Sequence, residues 1–254
     1  MGDYTDNIDT SMISIIIPLY NEKDNILVYK KDLFPVIEKI GKEFGEIFEY
    51  IMVDDGSKDD TVVQMQKLIQ ERNDVTLIKL ERNQGMGSAI KSGIAASKGN
   101  LIITMDADLT FRPVDVSKLI AKYRETNADC VSGSPFLKEG LFENVATHRL
   151  IISKSINFLY RLLLGSNISC VSPIFRLYKR EIFDTMEISS NNFDINAEII
   201  SKLIISGKKV VEVPVPLLKR RYGKSNINIR KEAINYLVLL YKIFKTKYLN
   251  KEWE

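Results

Sequence analysis

The run Leu101-Ile102-Ile103-Thr104-Met105 closes on Asp106-Ala107-Asp108. The run reads as a strand buried on both faces, the pattern of a parallel sheet covered by helices. Two carboxylates one residue apart make a poor core, because a buried charge is costly unless it is paired. In an open α/β sheet, ligands bind outside the carboxyl ends of the strands. Carboxylates placed there can hold Mg²⁺ or Mn²⁺ through oxygen and leave the ion free to bind phosphate oxygens. The feature therefore points to an open sheet with a metal-bound diphosphate at its edge.

The rest of the first half agrees with that sheet. Ile13-Ser-Ile-Ile-Ile17 is a β-branched run ended by Pro18, and Asp24 to Gly41 is helical in pattern. Phe48 to Val53 and Val75 to Leu80 are further strands, each followed by a helix, one from Asp59 or Asp60 to Arg72 and one from Gly87 to Lys98. Asp59 is placed to cap the first of these, with Asp60 in its first turn. Pro113 opens a helix to about Glu125, and Ala128 to Gly133 is another strand. The alternation implies a mostly parallel, Rossmann-like sheet flanked by helices.

Composition narrows the class. With 254 residues, 45% hydrophobic and 27% charged, the chain suits one large α/β domain with an extension. Cys130 and Cys170 are the only cysteines and there is one histidine, so a zinc site is not expected and two buried thiols are. Met1 to Ser11 reads as a polar, flexible leader rather than a signal peptide. No run approaches the ~20 apolar residues of a membrane span, since Tyr236-Leu-Val-Leu-Leu-Tyr241 is short and cut by Lys242. From Lys202 to Glu254, 13 Lys and Arg face 4 Asp and Glu, a charge of +9 against −6 elsewhere. Such a basic segment suits anionic lipid or a phosphorylated ligand. It carries no nucleic-acid recognition motif.

The second half is more helical. In Asn144 to Leu164, Ile152, Ile156, Leu159 and Leu163 form one stripe and Arg149, Ser153, Asn157 and Arg161 another. This is either an ordinary amphipathic helix with its apolar stripe on the sheet or a helix at a membrane surface with its arginines toward lipid phosphates. Phe193 to Ile205 is a helix and Val210 to Pro214 a strand. Residues 229–254 form a basic amphipathic helix, apolar in its middle.

Three other strand ends carry chemistry. Ile17-Pro18-Leu19-Tyr20-Asn21-Glu22 offers an aromatic ring and a carboxylate, suited to a base and a ribose. Val53-Asp54-Asp55-Gly56-Ser57 places two acids before a tight turn. Arg82-Asn83-Gln84-Gly85-Met86-Gly87-Ser88 departs from the dinucleotide fingerprint, but its glycines allow close backbone approach and start a helix whose N-terminus favours anions.

Taken together, I-P-L-Y-N-E, V-D-D-G-S-K-D-D-T, N-Q-G-M-G-S-A and D-A-D-L-T resemble the inverting family 2 glycosyltransferases of GT-A fold. The likeness is strongest to dolichyl- or polyprenyl-phosphate mannose and glucose synthases and runs from about Ile13 to Ser225. It implies a GT-A domain over residues 12–228 and a cytoplasmic enzyme, peripheral on the membrane, moving a hexose from GDP-mannose or UDP-glucose to a lipid phosphate. Pro18, Tyr20, Glu22, Asp54, Asp55, Gly85 and Ala107 would contact the donor. Asp106 and Asp108, with Thr110 beside them, would hold Mg²⁺ or Mn²⁺, or Asp106 would touch the ribose or sugar while Asp108 dominates the metal. Arg220-Arg221-Tyr222-Gly223-Lys224-Ser225 resembles the family's R-x-x-G-x-S loop, with Arg220 and Lys224 on the leaving diphosphate. Arg176 of F-R-L-Y would face the acceptor phosphate, with Ser134, Arg149 and Ser153 on the acceptor side.

Three departures fall on that side. Pro135 stands where the family carries an arginine, Cys170 where it carries an acid, and Ile174 where it carries glycine. They keep open an acceptor hydroxyl on a glycan or membrane lipid, which needs a general base. Asp194 and Glu198 are the candidates. A nucleotidyltransferase lacks support, since Pro18 to Glu22 occupies the place of its glycine-rich loop. A lipid- or nucleotide-binding protein without activity sits poorly with four intact acids.

Overall fold

The computed structural model describes residues 12–143, 147–223, 229–249, 251 and 253, with backbone alone at 147–149 and 229–230. The leader, Lys224 and the side chain of Arg149 lie outside the described residues.

Strand β1 (Met12–Leu19) leads through α1 (Lys23–Ile26), α2 (Tyr29–Asp32) and α3 (Phe34–Phe44) to β2 (Ile47–Asp54). Then come α4 (Thr61–Ile69), β3 (Val75–Lys79), α5 (Met86–Ala96), β4 (Leu101–Thr104), α6 (Val116–Thr126) and β5 (Cys130–Ser134). The second half adds α7 (Thr147–Leu164), β6 (Arg176–Lys179), α8 (Ile195–Ile205), β7 (Val210–Pro214) and α9 (Ile229–Leu249). The expected single helix from Asp24 to Gly41 is three pieces. Pro35 sits in the first turn of α3, where a missing N–H costs nothing, and so starts a new helix rather than extending the last.

The seven strands lie in the order β3-β2-β1-β4-β6-β5-β7. All neighbours are parallel except β6, which runs antiparallel to both β4 and β5. Both faces of β1 are covered. Ile13, Ile15, Ile17 and Leu19 enter one core with Tyr50 and Met52, while Ile16 enters the other with Ile51 and Val53. This is why its apolar run is continuous rather than alternating.

The reversed β6 matters for function. It pairs Arg176 with Thr104, so the segment before it arrives at the carboxyl end of β4. There Thr104 Oγ1 donates to the Ile174 carbonyl. A four-residue strand carries little periodic signal, and F-R-L-Y reads as a motif before it reads as a strand.

Helix α7 meets the amphipathic expectation only in part: of the expected apolar stripe Ile156 and Leu163 pack on the core, but Ile152 and Leu159 face outward. Asn157, Tyr160 and Leu164 are buried, whereas Ile151, Ile152, Phe158, Leu159 and Leu162 are 43–65% exposed. Asn157 of the polar stripe turns inward because the loop before β6 has backbone to satisfy, its Oδ1 accepting from Val171 N at 3.2 Å, while Arg161 stays exposed. Helix α9 packs on α7 and α8 through buried Leu239, Leu240 and Ile243, and Tyr160 donates to the Tyr236 carbonyl at 3.0 Å.

Candidate active site

The carboxyl ends of β1, β2 and β4 meet at the rim of one cavity of about 740 Å³. The turns after β1 and β2 are clasped together. Asn21 N donates to Ser57 Oγ at 2.9 Å, Lys58 N to Asn21 Oδ1 at 2.8 Å, and Glu22 N to Thr61 Oγ1 at 2.8 Å. Asp54 accepts from Ser57 N at 3.2 Å across the Gly56 turn and is not among the residues that line the cavity. Asp59, expected as the cap of α4, stands one residue before the N-cap position Asp60 and accepts from Thr61 N at 3.0 Å.

Asp55 holds the third turn. Its carboxylate takes Gln84 N at 2.7 Å and Gly85 N at 2.9 Å. Burial raises its pKa, and the two amides pull against that rise. Gly85 has φ +97°, and a Cβ there would lie 2.2 Å from the Asn191 carbonyl oxygen. Its glycine is therefore required chiefly by the loop before α8, which Gly87 N also grips through Asn191 O at 2.9 Å.

The acidic turn after β4 is tightly built. Asp106 Oδ2 accepts from Thr110 N at 2.7 Å and Thr110 Oγ1 at 2.6 Å. Leu109 has φ +54°, a strained conformation for a leucine that lets Thr110 fold back on Asp106. Thr110, expected beside a metal, spends both donors orienting that carboxylate. Tyr29 donates to the Ala107 carbonyl at 2.8 Å and fixes the turn from below. Sequence reasoning missed Tyr29, because an aromatic residue in a helical pattern reads as core.

Asp108 Oδ2 meets Arg220 Nε at 2.6 Å, and Arg220 Nη1 reaches Glu22 Oε1 at 3.1 Å. Asn25 Nδ2 also donates to Glu22 at 2.5 Å. Leu218 N donates to Thr110 O at 2.9 Å and ties the basic loop to the acidic turn. Burial and the adjacent Asp108 carboxylate push the Asp106 pKa well above the usual range. Burial opposes ionisation of Asp108 too, but the hydrogen bond from Asp106 and the Arg220 charge outweigh it and its carboxyl stays low. No cluster of three or more His, Cys, Asp or Glu side chains occurs among the described residues. A divalent ion still fits: Asp106 Oδ1 is buried with no hydrogen-bond partner, and two carboxylates leave places for diphosphate oxygens.

The acceptor half corrects several expectations. Arg176 is fully buried and off the cavity, donating to Ser132 Oγ at 3.2 Å, to Val171 O at 2.6 Å and to the Asn196 carbonyl. A guanidinium on a central strand turns inward when enough carbonyls gather to receive it. Ser134 is also buried, bonded to Ser169 Oγ at 2.6 Å. Glu212 anchors the same loop through Ser169 N at 2.6 Å and Cys170 N at 3.3 Å. Glu198, offered as a base, is enclosed: Lys202, Ser189 N and Ser190 N bind its carboxylate and hold its pKa down at about 2 despite burial. Asp194 receives Ser190 Oγ at 2.7 Å and does not line the cavity. Pro18, Tyr20, Glu22, Gly85, Ala107 and Ser153 do line it, and so do Phe136, Phe142, Leu150 and Ile174. The sequence reading did not single out Lys231 and Glu232, which complete the wall from the first turn of α9.

Residues 14–186 match the sequence profile of glycosyl transferase family 2. The chain belongs to that family. It is 31% identical over 237 residues to a dolichol-phosphate mannosyltransferase of Pyrococcus furiosus, covering 92% of this chain and 64% of the relative, so it spans somewhat less than two thirds of that protein. Among solved structures it resembles the glucosyl-3-phosphoglycerate synthase of Mycobacterium tuberculosis. The complex of that synthase with Mn²⁺, UDP and phosphoglyceric acid superposes with a TM-score of 0.68 at 14% identity, over 93% of this chain and 78% of that one. The complex with Mn²⁺, UDP-glucose and glycerol 3-phosphate gives 0.65 at 15% identity, over 93% and 80%. The likeness shows a shared GT-A-like α/β fold. Within the family 2 frame, the I-P-L-Y-N-E, V-D-D-G-S and D-A-D segments are the three clasped turns of the cavity rim.

Proposed function

We propose that this family 2 chain transfers a hexose, with inversion, from a nucleotide sugar of the UDP-glucose or GDP-mannose type to the hydroxyl of an acceptor with an apolar body. The observation that carries this reading is the division of one cavity into two chemistries. Glu22, Asp55 and Asp106 line it at the carboxyl ends of β1, β2 and β4, with Arg220 paired to Glu22 and Asp108 there, and Phe136, Phe142, Leu150 and Ile174 supply apolar lining. An apolar wall that carries Pro135 and Cys170 and turns Arg176 away is poorly suited to a phosphate dianion. The complexes of the Mycobacterium tuberculosis glucosyl-3-phosphoglycerate synthase with Mn²⁺ and UDP support a metal-held nucleoside diphosphate in the donor half.

Asp106 and Asp108 would hold Mg²⁺ or Mn²⁺, which supplies positive charge against the diphosphate. Arg220, released from Asp108, adds a second cation as negative charge develops on the leaving group. Tyr20 and Glu22 offer a ring and a carboxylate to the nucleoside, and Asp55 keeps the Gly85 loop in place behind it. The acceptor oxygen attacks the anomeric carbon from the face opposite the diphosphate, which inverts its configuration.

A lipid-phosphate acceptor is the second reading, favoured by the 31% identity with a dolichol-phosphate mannosyltransferase. Either acceptor suits a membrane surface. None of the described helices is long and apolar enough to cross a bilayer. The exposed apolar side chains of α7 continue on α9 as Ile234, Leu237, Tyr241 and Tyr248, with Lys154, Arg161 and Lys242 interleaved. That combination supports peripheral docking on anionic lipid.

The test is transfer of radiolabelled glucose or mannose from UDP-glucose or GDP-mannose, with Mn²⁺ or Mg²⁺, to a neutral isoprenoid alcohol and to the matching polyprenyl phosphate in detergent. Label in the alcohol, lost with chelator, supports the hydroxyl reading. Label confined to the phosphate replaces it with the second reading.

A further inference from the structure

A hydroxyl acceptor must lose a proton as its oxygen attacks, and that reading leaves the proton without a destination. Glu22 is paired with Arg220 and Asn25, Asp55 is held by two amides, and Asp106 and Asp108 serve the donor side. Glu198 is enclosed and Asp194 does not line the cavity. Glu232 combines what the others offer only singly: it lines the cavity away from the acidic turn, it is 8% exposed, and its Oε2 is buried with no hydrogen-bond partner among the described residues.

Its place in the wall is also specific. Neighbouring Lys231 reaches Asn192 Oδ1 at 3.4 Å, and that same oxygen lies 2.9 Å from where a Cβ on Gly85 would stand. The first turn of α9 is thus one side chain away from the donor loop.

We propose that Glu232 is the general base of the transfer, resting on the hydroxyl-acceptor reading above. The acceptor O–H proton passes to the Glu232 carboxylate as the new bond to the anomeric carbon forms. The bond from that carbon to the diphosphate oxygen breaks, and its electron pair leaves with the nucleoside diphosphate. The proton returns to water after product release. Burial, reinforced by the negative charge of Asp194 at the start of α8 and opposed by Lys231, the Asn235 side chain and the Phe193 backbone, raises the Glu232 pKa, which brings a carboxylate closer to a working base.

The experiment uses the full chain with UDP-glucose or GDP-mannose, Mn²⁺ and the alcohol and phosphate acceptors named above. Glu232→Gln is expected to lower kcat on the alcohol by about 10²–10³-fold, to leave the Kd for UDP or GDP with Mn²⁺ unchanged, and to erase the acidic limb of the pH–rate profile. Glu232→Asp keeps the carboxylate, so it should retain that limb at a rate reduced about tenfold, and it serves also if the Gln variant folds poorly. Full alcohol transfer by Glu232→Gln with an unaltered pH profile overturns the base and leaves the hydroxyl reading intact. Wild-type protein that labels the phosphate acceptor alone overturns both, because an ionised phosphate oxygen needs no base.

Discussion

Arg220 Nε stands 2.6 Å from Asp108 Oδ2, so the residue expected to receive the leaving diphosphate is seated on the residue expected to hold the metal. The two roles exclude each other at one oxygen. A divalent ion held by Asp108 would compete with the guanidinium for that oxygen, and Arg220 set free would be available to a diphosphate. Arg220→Gln should therefore bind Mn²⁺ more tightly than wild type in the absence of nucleotide, by several-fold, and should bind Mn²⁺–UDP or Mn²⁺–GDP more weakly. Titration calorimetry with the ion alone and then with nucleotide measures both. Equal or weaker binding of the bare ion by the variant would refute the competition.

Tyr29 anchors the acidic turn through the Ala107 carbonyl at 2.8 Å. Tyr29→Phe keeps the ring in its core and removes one buried hydrogen bond, leaving a carbonyl unpaired. We expect a loss of about 1–2 kcal/mol in urea unfolding. Activity should fall by more than that stability loss explains, since the carboxylates on either side of Ala107 lose their support. An unchanged turnover at temperatures where both proteins are fully folded would show that the turn is held by Thr110 and Leu218 alone.

Much of the rim was legible because strand ends announce themselves. Apolar runs closing on Pro18, Asp54 and Asp106 give both the sheet and the edge where ligands gather. The roles were less legible, since residue type does not reveal which donor a carboxylate meets. Asp55 turned out to serve Gln84 and Gly85, and Thr110 to serve Asp106, through bonds set by backbone turns. Arg176 and Glu232 show the same limit in opposite directions. A motif arginine is buried against carbonyls brought from α8 and the preceding loop. A glutamate in an amphipathic helix reaches the cavity because α9 folds back onto α7 and α8.

Arg176 yields a prediction that separates the two accounts of it. An acceptor-binding arginine would raise the acceptor KM on mutation with little effect on stability. The buried guanidinium instead predicts that Arg176→Met destabilises the fold by about 3–5 kcal/mol, because the Val171 and Asn196 carbonyls lose a charged donor. Denaturant unfolding followed by tryptophan fluorescence and circular dichroism measures it.

Glu198 sets an acid limit on stability. Its pKa of about 2 lies below the ordinary 4.5, owing to Lys202 and the Ser189 and Ser190 donors overcoming burial. A carboxylate depressed in the folded state contributes stability that is present above the unfolded pKa and is lost as pH falls through the folded one. Wild-type stability should thus decline between roughly pH 4.5 and 2, with this group accounting for about 3 kcal/mol at neutral pH. Glu198→Gln should unfold more easily at pH 7 and lose part of that acid slope in urea titrations.

The outward faces of α7 and α9 bear on where the reaction takes place. Phe158 and Leu162 are 62% and 65% exposed, and Leu237 and Tyr241 are 62% and 63% exposed. Each such side chain would gain about 1.5–3 kcal/mol by full burial, and nothing within the described fold covers them. Lysines and arginines along the same helices favour an anionic surface over a neutral one. Replacing Phe158, Leu162 and Leu237 with serine should leave the melting temperature within a few degrees of wild type, since all three already face outward. Sedimentation with vesicles containing phosphatidylglycerol should fall at least tenfold, and neutral vesicles should bind both proteins weakly. If wild-type protein ignores anionic vesicles but runs as a dimer that the serine variant dissolves, the face joins two copies of the chain, and the acceptor must then reach the cavity from solution.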